Sequence, residues 1–269
     1  MSEEIEKKAE YDIDELFTDS HKHGSGHNLV VGIWGPTESG KTYLSLDFPG
    51  PIKFMNLDYG LDENLKYYKT KEITDMKPTD FRDAIIKQDS EFKWDKVNPI
   101  NSLKKFEAGL GALIQTQHGG TVVIDSMTTV NEWLKALLDY KTDQTNSQTD
   151  GKIAIFDWKW VNQTWKWIWQ LIKSIDANVV VLFRSKEVYE NFKKTNEIEP
   201  DYRDGTRFEV SVEIQLEQEV TQDSSGAVAV NRYATFGKFR GVNLSKKYKE
   251  KNLTYNRLIE ILKEEGKVA

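Results

Sequence analysis

The chain has 269 residues, a formal net charge of −6, 38% hydrophobic and 30% charged residues. That supplies core for one large α/β domain or two small ones, and it argues against coating nucleic acid by bulk charge while leaving room for a local basic groove. The absence of cysteine excludes a disulfide frame and thiolate metal sites, and no apolar run reaches the ~18–20 residues that cross a bilayer, so no membrane partner is expected.

Residues 1–27 read as an extension, acidic and then polar, ending in the linker His21-Lys22-His23-Gly24-Ser25-Gly26-His27. Its first residues are too polar for a secretory signal, and the expected location is the cytoplasm of a cell or of an infected host cell. Clustered histidines in such a polar segment are more often solvated than metal-bound. Tyr11, Ile13, Leu16 and Phe17 suit one short docking helix.

From residue 28 apolar runs of strand length recur at 29–34, 52–57, 121–125 and 179–183, with helical segments between them. This alternation predicts an α/β fold, a mainly parallel sheet flanked by helices. The first run leads into Gly35-Pro36-Thr37-Glu38-Ser39-Gly40-Lys41-Thr42, followed by Tyr43, Leu44 and Ser45 as a first helical turn. Strand, glycine-containing loop and helix start together make a phosphate cradle. Gly35 and Gly40 let the backbone N–H groups turn inward, Lys41 reaches the β/γ-phosphates, and Thr42 ligates Mg²⁺. Residues 35–43 are therefore the expected contacts for ATP.

The second run ends Phe54-Met55-Asn56-Leu57-Asp58, ahead of Leu61-Asp62. On its own Asp58 reads as a turn acid at a strand end. Segments 86–100 and 139–152 read as unstructured. Between them Asn101-Ser102 caps a helix carrying Leu103, Phe106, Leu110, Leu113 and Ile114, and a further helix covers about 127–138. Thr121-Val122-Val123-Ile124-Asp125 is a buried strand ending in an acid, on the strand expected to neighbour the phosphate loop; Asp125 there suits the Mg²⁺ hydration shell.

A helix over about 156–175 holds five of the eight tryptophans. Val161, Trp165, Ile168, Ile172 and Ile175 form its core stripe, with Trp160 and Trp167 on one flank and Trp158 and Trp169 on the other. It is readable as a helix wedged between sheet and neighbours, as a subunit interface, or as a stacking platform for single-stranded bases. In 186–207, read as a loop, Tyr189, Phe192 and Tyr202 interleave with Lys193, Lys194, Arg203 and Arg207, but acids outnumber cations.

Beyond it, Val210, Val212, Ile214 and Leu216 alternate with Ser211, Glu213, Gln215 and Glu217, the pattern of a half-buried strand. A turn at 223–226 and a return strand with Val228, Val230, Tyr233 and Phe236 complete a C-terminal antiparallel hairpin. A last helix starts near Thr254 and carries Leu258, Ile261 and Leu262.

On the phosphate loop, Asp58 with Leu61-Asp62, Asp125 and Gly237-Lys238-Phe239-Arg240-Gly241, residues 28–241 resemble the RecA-like ATPase core. The chain is then a flexible extension over 1–27 and a RecA-like domain over 28–269. The resemblance implies Mg²⁺-dependent ATP hydrolysis with Asp58 polarising the attacking water, although the family usually has Glu there. Arg184-Ser185 stands where the family has a Gln or His that senses the γ-phosphate. Lys238 and Arg240 match a basic pair that reaches a neighbour's γ-phosphate in rings or filaments; two solvated cations at a strand end is the alternative. Phe48-Pro49-Gly50-Pro51 adds a likeness to RecA-like proteins of phages and archaeal viruses that act in single-strand annealing and recombination. Single-stranded DNA and a head-to-tail homo-oligomer are the implied partners. A KaiC-like regulatory ATPase without DNA, or a nucleotide-binding assembly protein with little turnover, are the rival readings.

Overall fold

The computed structural model describes residues 28–58, 61–68, 72–76, 86–88, 91–93, 98–145, 155–222, 226, 228–239 and 249–265. The expectations for residues 1–27 and for Arg240 lie outside these described residues.

β1 (Val30–Gly35) is buried along its whole length, as a strand covered on both faces must be. On one side it pairs in parallel with β7 (Asp176–Glu190), on the other with β9 (Val212–Gln222). Beyond β7 follow β6 (His118–Asp125), β2 (Ile52–Asn56) and β3 (Ile73–Met76), all parallel. Beyond β9 come β10 (Val228–Phe239) and β11 (Lys249–Lys251), both antiparallel to their neighbours. The order across the sheet is β11-β10-β9-β1-β7-β6-β2-β3. The mainly parallel sheet with a C-terminal antiparallel hairpin is thus present. Asp125 does not lie on the strand next to β1, however, because β7 is inserted between β1 and β6.

The two-residue alternation of β7 explains the layers. Val179, Val181 and Phe183 point to one face and Val180 and Leu182 to the other. The first face is covered by α3 (Asn98–Thr116), α4 (Met127–Thr145) and α5 (Ile155–Lys173), through side chains such as Phe106, Leu134 and Ile168. On the second lie α1 (Lys41–Ser45) and α7 (Tyr255–Glu264), through Leu44, Leu258, Ile261 and Leu262. The short α2 (Asp62–Leu65) follows β2, and the short α6 (Thr206–Glu209) precedes β9. Thr254 caps α7 by accepting from the Arg257 N–H at 3.3 Å, where that helix was expected to start.

Several sequence expectations need correction. Segment 86–100 holds a small antiparallel pair, β4 (Ile86–Gln88) with β5 (Glu91–Lys93), and α3 begins at Asn98. Ser102 is buried inside that helix rather than capping it, and Pro99 occupies its first turn, where a missing N–H costs nothing. α4 continues to Thr145, seven residues into the expected gap; no glycine or proline precedes Gly151 to stop it. The loop at 186–207 is mostly a hairpin. β7 runs on to Glu190, turns at Asn191-Phe192 and returns as β8 (Lys193–Pro200). Glu213 is buried, not outward-facing, because the Tyr202 hydroxyl donates to it at 2.8 Å and Arg207 pairs with it at 2.9 Å. On α5 the core stripe is buried as expected; Trp169 joins it, while Trp167 and Trp158 stay exposed.

Candidate nucleotide site at the carboxyl ends of the strands

The loop after β1 is shaped by positions that only glycine fills. A Cβ on Gly35, at φ 155°, would lie 2.2 Å from the Leu216 carbonyl oxygen. On Gly40, at φ 94°, it would meet the Arg232 side chain at 2.6 Å. Between them, Lys41 Nζ donates to the carbonyls of Gly35 at 2.9 Å and Pro36 at 2.7 Å, so the ammonium lies folded into the loop's mouth. Burial pulls the Lys41 ammonium below its ordinary range, against the pull of Asp125 and Asp58.

Although β7 separates β1 from β6, the Thr42 hydroxyl, at the start of α1, donates to Asp125 Oδ2 at 2.9 Å. Asp125 is buried, and that burial, with Asp58's charge beside it, raises its carboxyl to about 6. Thr42, Lys41 and Arg184 oppose the rise. The backbone N–H of Asp58 donates to the Asp125 carbonyl at 2.9 Å, which fixes the two acids side by side at the ends of β2 and β6.

The surroundings of Asp58 were not legible in sequence. Its Oδ2 accepts from Ser126 Oγ at 2.8 Å and Arg184 Nε at 3.1 Å; its Oδ1 accepts from Arg184 Nη2 at 2.8 Å and from Thr129 Oγ1. The other arm of Arg184 reaches Glu132 at 3.0 Å. The carboxylate is therefore saturated with donors, and the residue replacing the expected Gln or His is what saturates it. Arg184 also ties this cluster to the hairpin root. Its N–H donates to Thr128 Oγ1 at 3.0 Å, and its carbonyl accepts from the Asp201 N–H at 2.8 Å.

Arg232, unlike Arg184, is a residue the sequence did not single out. It comes from β10, and its guanidinium lies 5.3 Å from the centre of the Tyr43 ring, beside Gly40. With Leu253 and Asn252 these residues line a cavity of about 370 Å³ flanking the phosphate loop. A β-strand hides such a cation, since alternation places it on a face but does not say what it lies against.

The donor set fits a nucleotide and its cation. Ser39 Oγ inside the loop and Arg232 Nε at its flank are buried without a protein hydrogen-bond partner. Both are orphan groups that a phosphorylated ligand satisfies. The Thr42 and Asp125 oxygens are hard ligands, and Mg²⁺ is held by few protein groups plus substrate phosphates. Structurally, then, Lys41, Thr42, Asp125, Asp58 and Arg184 are brought together. Lys238 of β10, whose backbone pairs with Glu213 of β9, lies toward the opposite end of the sheet.

No curated protein sequence matches the chain. Among solved structures, the RadB recombinase is similar at 12% identity and a TM-score of 0.46, over 82% of this chain and 86% of its own. An ATPase from the type III secretion system of pathogenic bacteria is similar at 11% identity and a TM-score of 0.39, over 71% of this chain and 52% of its own. A family model described as an AAA domain matches residues 27–241, and the chain belongs to that family.

Proposed function

We propose that this protein is a Mg²⁺-dependent ATPase that works on single-stranded DNA in recombination or annealing, as in the RecA-like proteins of phages and archaeal viruses. The observation that carries the ATPase part is the Lys41–Thr42–Asp125 constellation at the mouth of a glycine-shaped loop. Bound Mg²⁺ supplies charge neutralisation on the phosphates. Lys41 exchanges its loop carbonyls for phosphate oxygens, and Thr42 with Asp125 holds the cation. Tyr43 and Arg232 offer the base an aromatic face and a guanidinium edge. Asp58, held by Arg184, is the carboxylate that would polarise the attacking water. The domain, with its extension, acts in the cytoplasm of a cell or of an infected host, in a head-to-tail homo-oligomer.

A second reading has specific support. With four side-chain donors on Asp58, a nucleotide-binding assembly protein with little turnover, or a KaiC-like regulatory ATPase without DNA, also suits the site. ATP hydrolysis measured with and without single-stranded DNA separates the readings: DNA-stimulated for the first, DNA-indifferent or nearly absent for the second. Lys41→Ala is expected to abolish hydrolysis because it removes the cation nearest the β/γ-phosphates. Unchanged turnover in folded Lys41→Ala protein sinks the phosphate-loop assignment.

A further inference from the structure

Away from the phosphate loop, a cleft of about 570 Å³ opens between α4, α5 and the root of the β7–β8 hairpin. That volume suits a compact ligand group. Its floor is aromatic and cationic at once. Trp158 is 36% exposed, and the Arg203 guanidinium sits 5.3 Å from the centre of its ring. Arg203 is held there by side-chain amide oxygens, from Asn162 at 2.5 Å and Asn131 at 3.5 Å.

Around this floor Arg203 and three lysines stand against Asp201, Asp204 and Glu209, a slight positive excess in a chain whose net charge is −6. Lys135, Lys166 and Lys186 line the same cleft, and its shoulder continues along α5 past Lys159. Of these charges Glu209 is paired with Lys173, and Lys186 with Glu199 at 3.2 Å, the latter at the exposed edge where phosphates can compete for the lysine. Lys186 also lines the cavity of the phosphate loop, so the two clefts share a wall.

An aromatic platform beside a track of cations is what binds a single strand without reading its sequence. The bases stack on aromatic rings or guanidinium planes and the phosphates follow the positive charge. We infer that this cleft is a single-stranded DNA site. One base stacks on the Trp158–Arg203 pair, and the flanking phosphates run past Lys135 and Lys186 and out over Lys166 and Lys159. The site deepens the DNA-dependent reading above and rests on it.

The experiment is fluorescence anisotropy of a labelled 20-nucleotide oligothymidylate titrated with the full chain at several salt concentrations. Trp158→Ala is expected to weaken binding about ten- to hundredfold, the effect of losing one stacking platform. Lys135→Gln and Lys166→Gln should each flatten the dependence of log affinity on log salt by about one. Trp158 keeps about a third of its surface in solvent, so its truncation should lower melting only slightly. If that variant melts early, Lys166→Glu, on the exposed face of α5, carries the same test through a larger charge change. Wild-type binding that none of these variants alters overturns the cleft and leaves DNA binding elsewhere. No binding by the wild type overturns both the cleft and the DNA reading. Thymidine monophosphate displacing the oligonucleotide at equal concentration overturns the strand track in favour of a free-nucleotide site.

Discussion

Asp125 carries the clearest electrostatic consequence at the residue scale. Burial and the neighbouring Asp58 raise it to about 6 from an ordinary 3.8. A carboxyl whose folded value exceeds its unfolded one favours the fold while protonated. That contribution is whole below about pH 4 and is lost as pH rises through about 6. At pH 7.5 the ionised group costs the protein without bound cation on the order of 2–3 kcal/mol. Asp125→Asn is accordingly expected to melt higher than the wild type without nucleotide at pH 7.5, with the gap closing toward pH 4, and to use Mg²⁺-ATP poorly. Melting curves across that range check it, and a variant no more stable than wild type at pH 7.5 rules the cause out. Asp58 gives a kinetic test. If it polarises water, Asp58→Asn leaves ATP affinity within a few-fold and lowers turnover ~10²–10⁴-fold. Turnover within twofold of wild type would leave it as the anchor of Arg184 alone.

At the scale of elements, the β7–β8 hairpin shows where sequence reading stops. Residues 185–200 lack an apolar face, and periodicity alone therefore reads them as loop. What holds the hairpin is cross-strand pairing, Lys186 with Glu199 at 3.2 Å and Lys194 with Glu187, plus a two-residue turn. Those partners are fixed by register, which a single strand's pattern does not contain. The turn places both Asn191, φ 49°, and Phe192, φ 63°, in the left-handed region. Asn suits that conformation; Phe does not, and its ring is fully exposed. Phe192→Gly should therefore keep the melting temperature or raise it, by about 0.5–1 kcal/mol of stability. A fall of several degrees would mean that the ring packs within the fold. The buried strands, by contrast, were legible, because continuous apolar runs such as Val179-Val180-Val181-Leu182-Phe183 leave few alternatives. The phosphate loop was legible for a different reason: its glycines and Lys41 answer to local backbone geometry. Arg184 and Arg232 answer to partners 126 and 189 residues away, at Asp58 and Tyr43, and no local pattern announces such contacts.

For the whole molecule, the position of Lys238 decides how it can act. It pairs with Glu213, which pairs with Gly32, whereas the phosphate loop starts at Gly35. That separation is about 10 Å along the strands and another 10 Å across them, beyond easy reach of a lysine. With Arg240 it is therefore proposed to serve a neighbouring subunit's nucleotide, as an in-trans cation pair in a head-to-tail ring or filament. Specific activity should then rise with protein concentration and level off when assembly is complete. Lys238→Ala/Arg240→Ala protein should lose ~10²-fold or more in turnover through lost charge stabilisation. Mixed with Lys41→Ala protein, itself inactive, it should recover part of the activity, because some interfaces then join an intact loop to an intact cation pair. Concentration-independent turnover by a monomer, with no recovery on mixing, would leave the two cations as solvated ends of a strand and place the whole reaction within one chain.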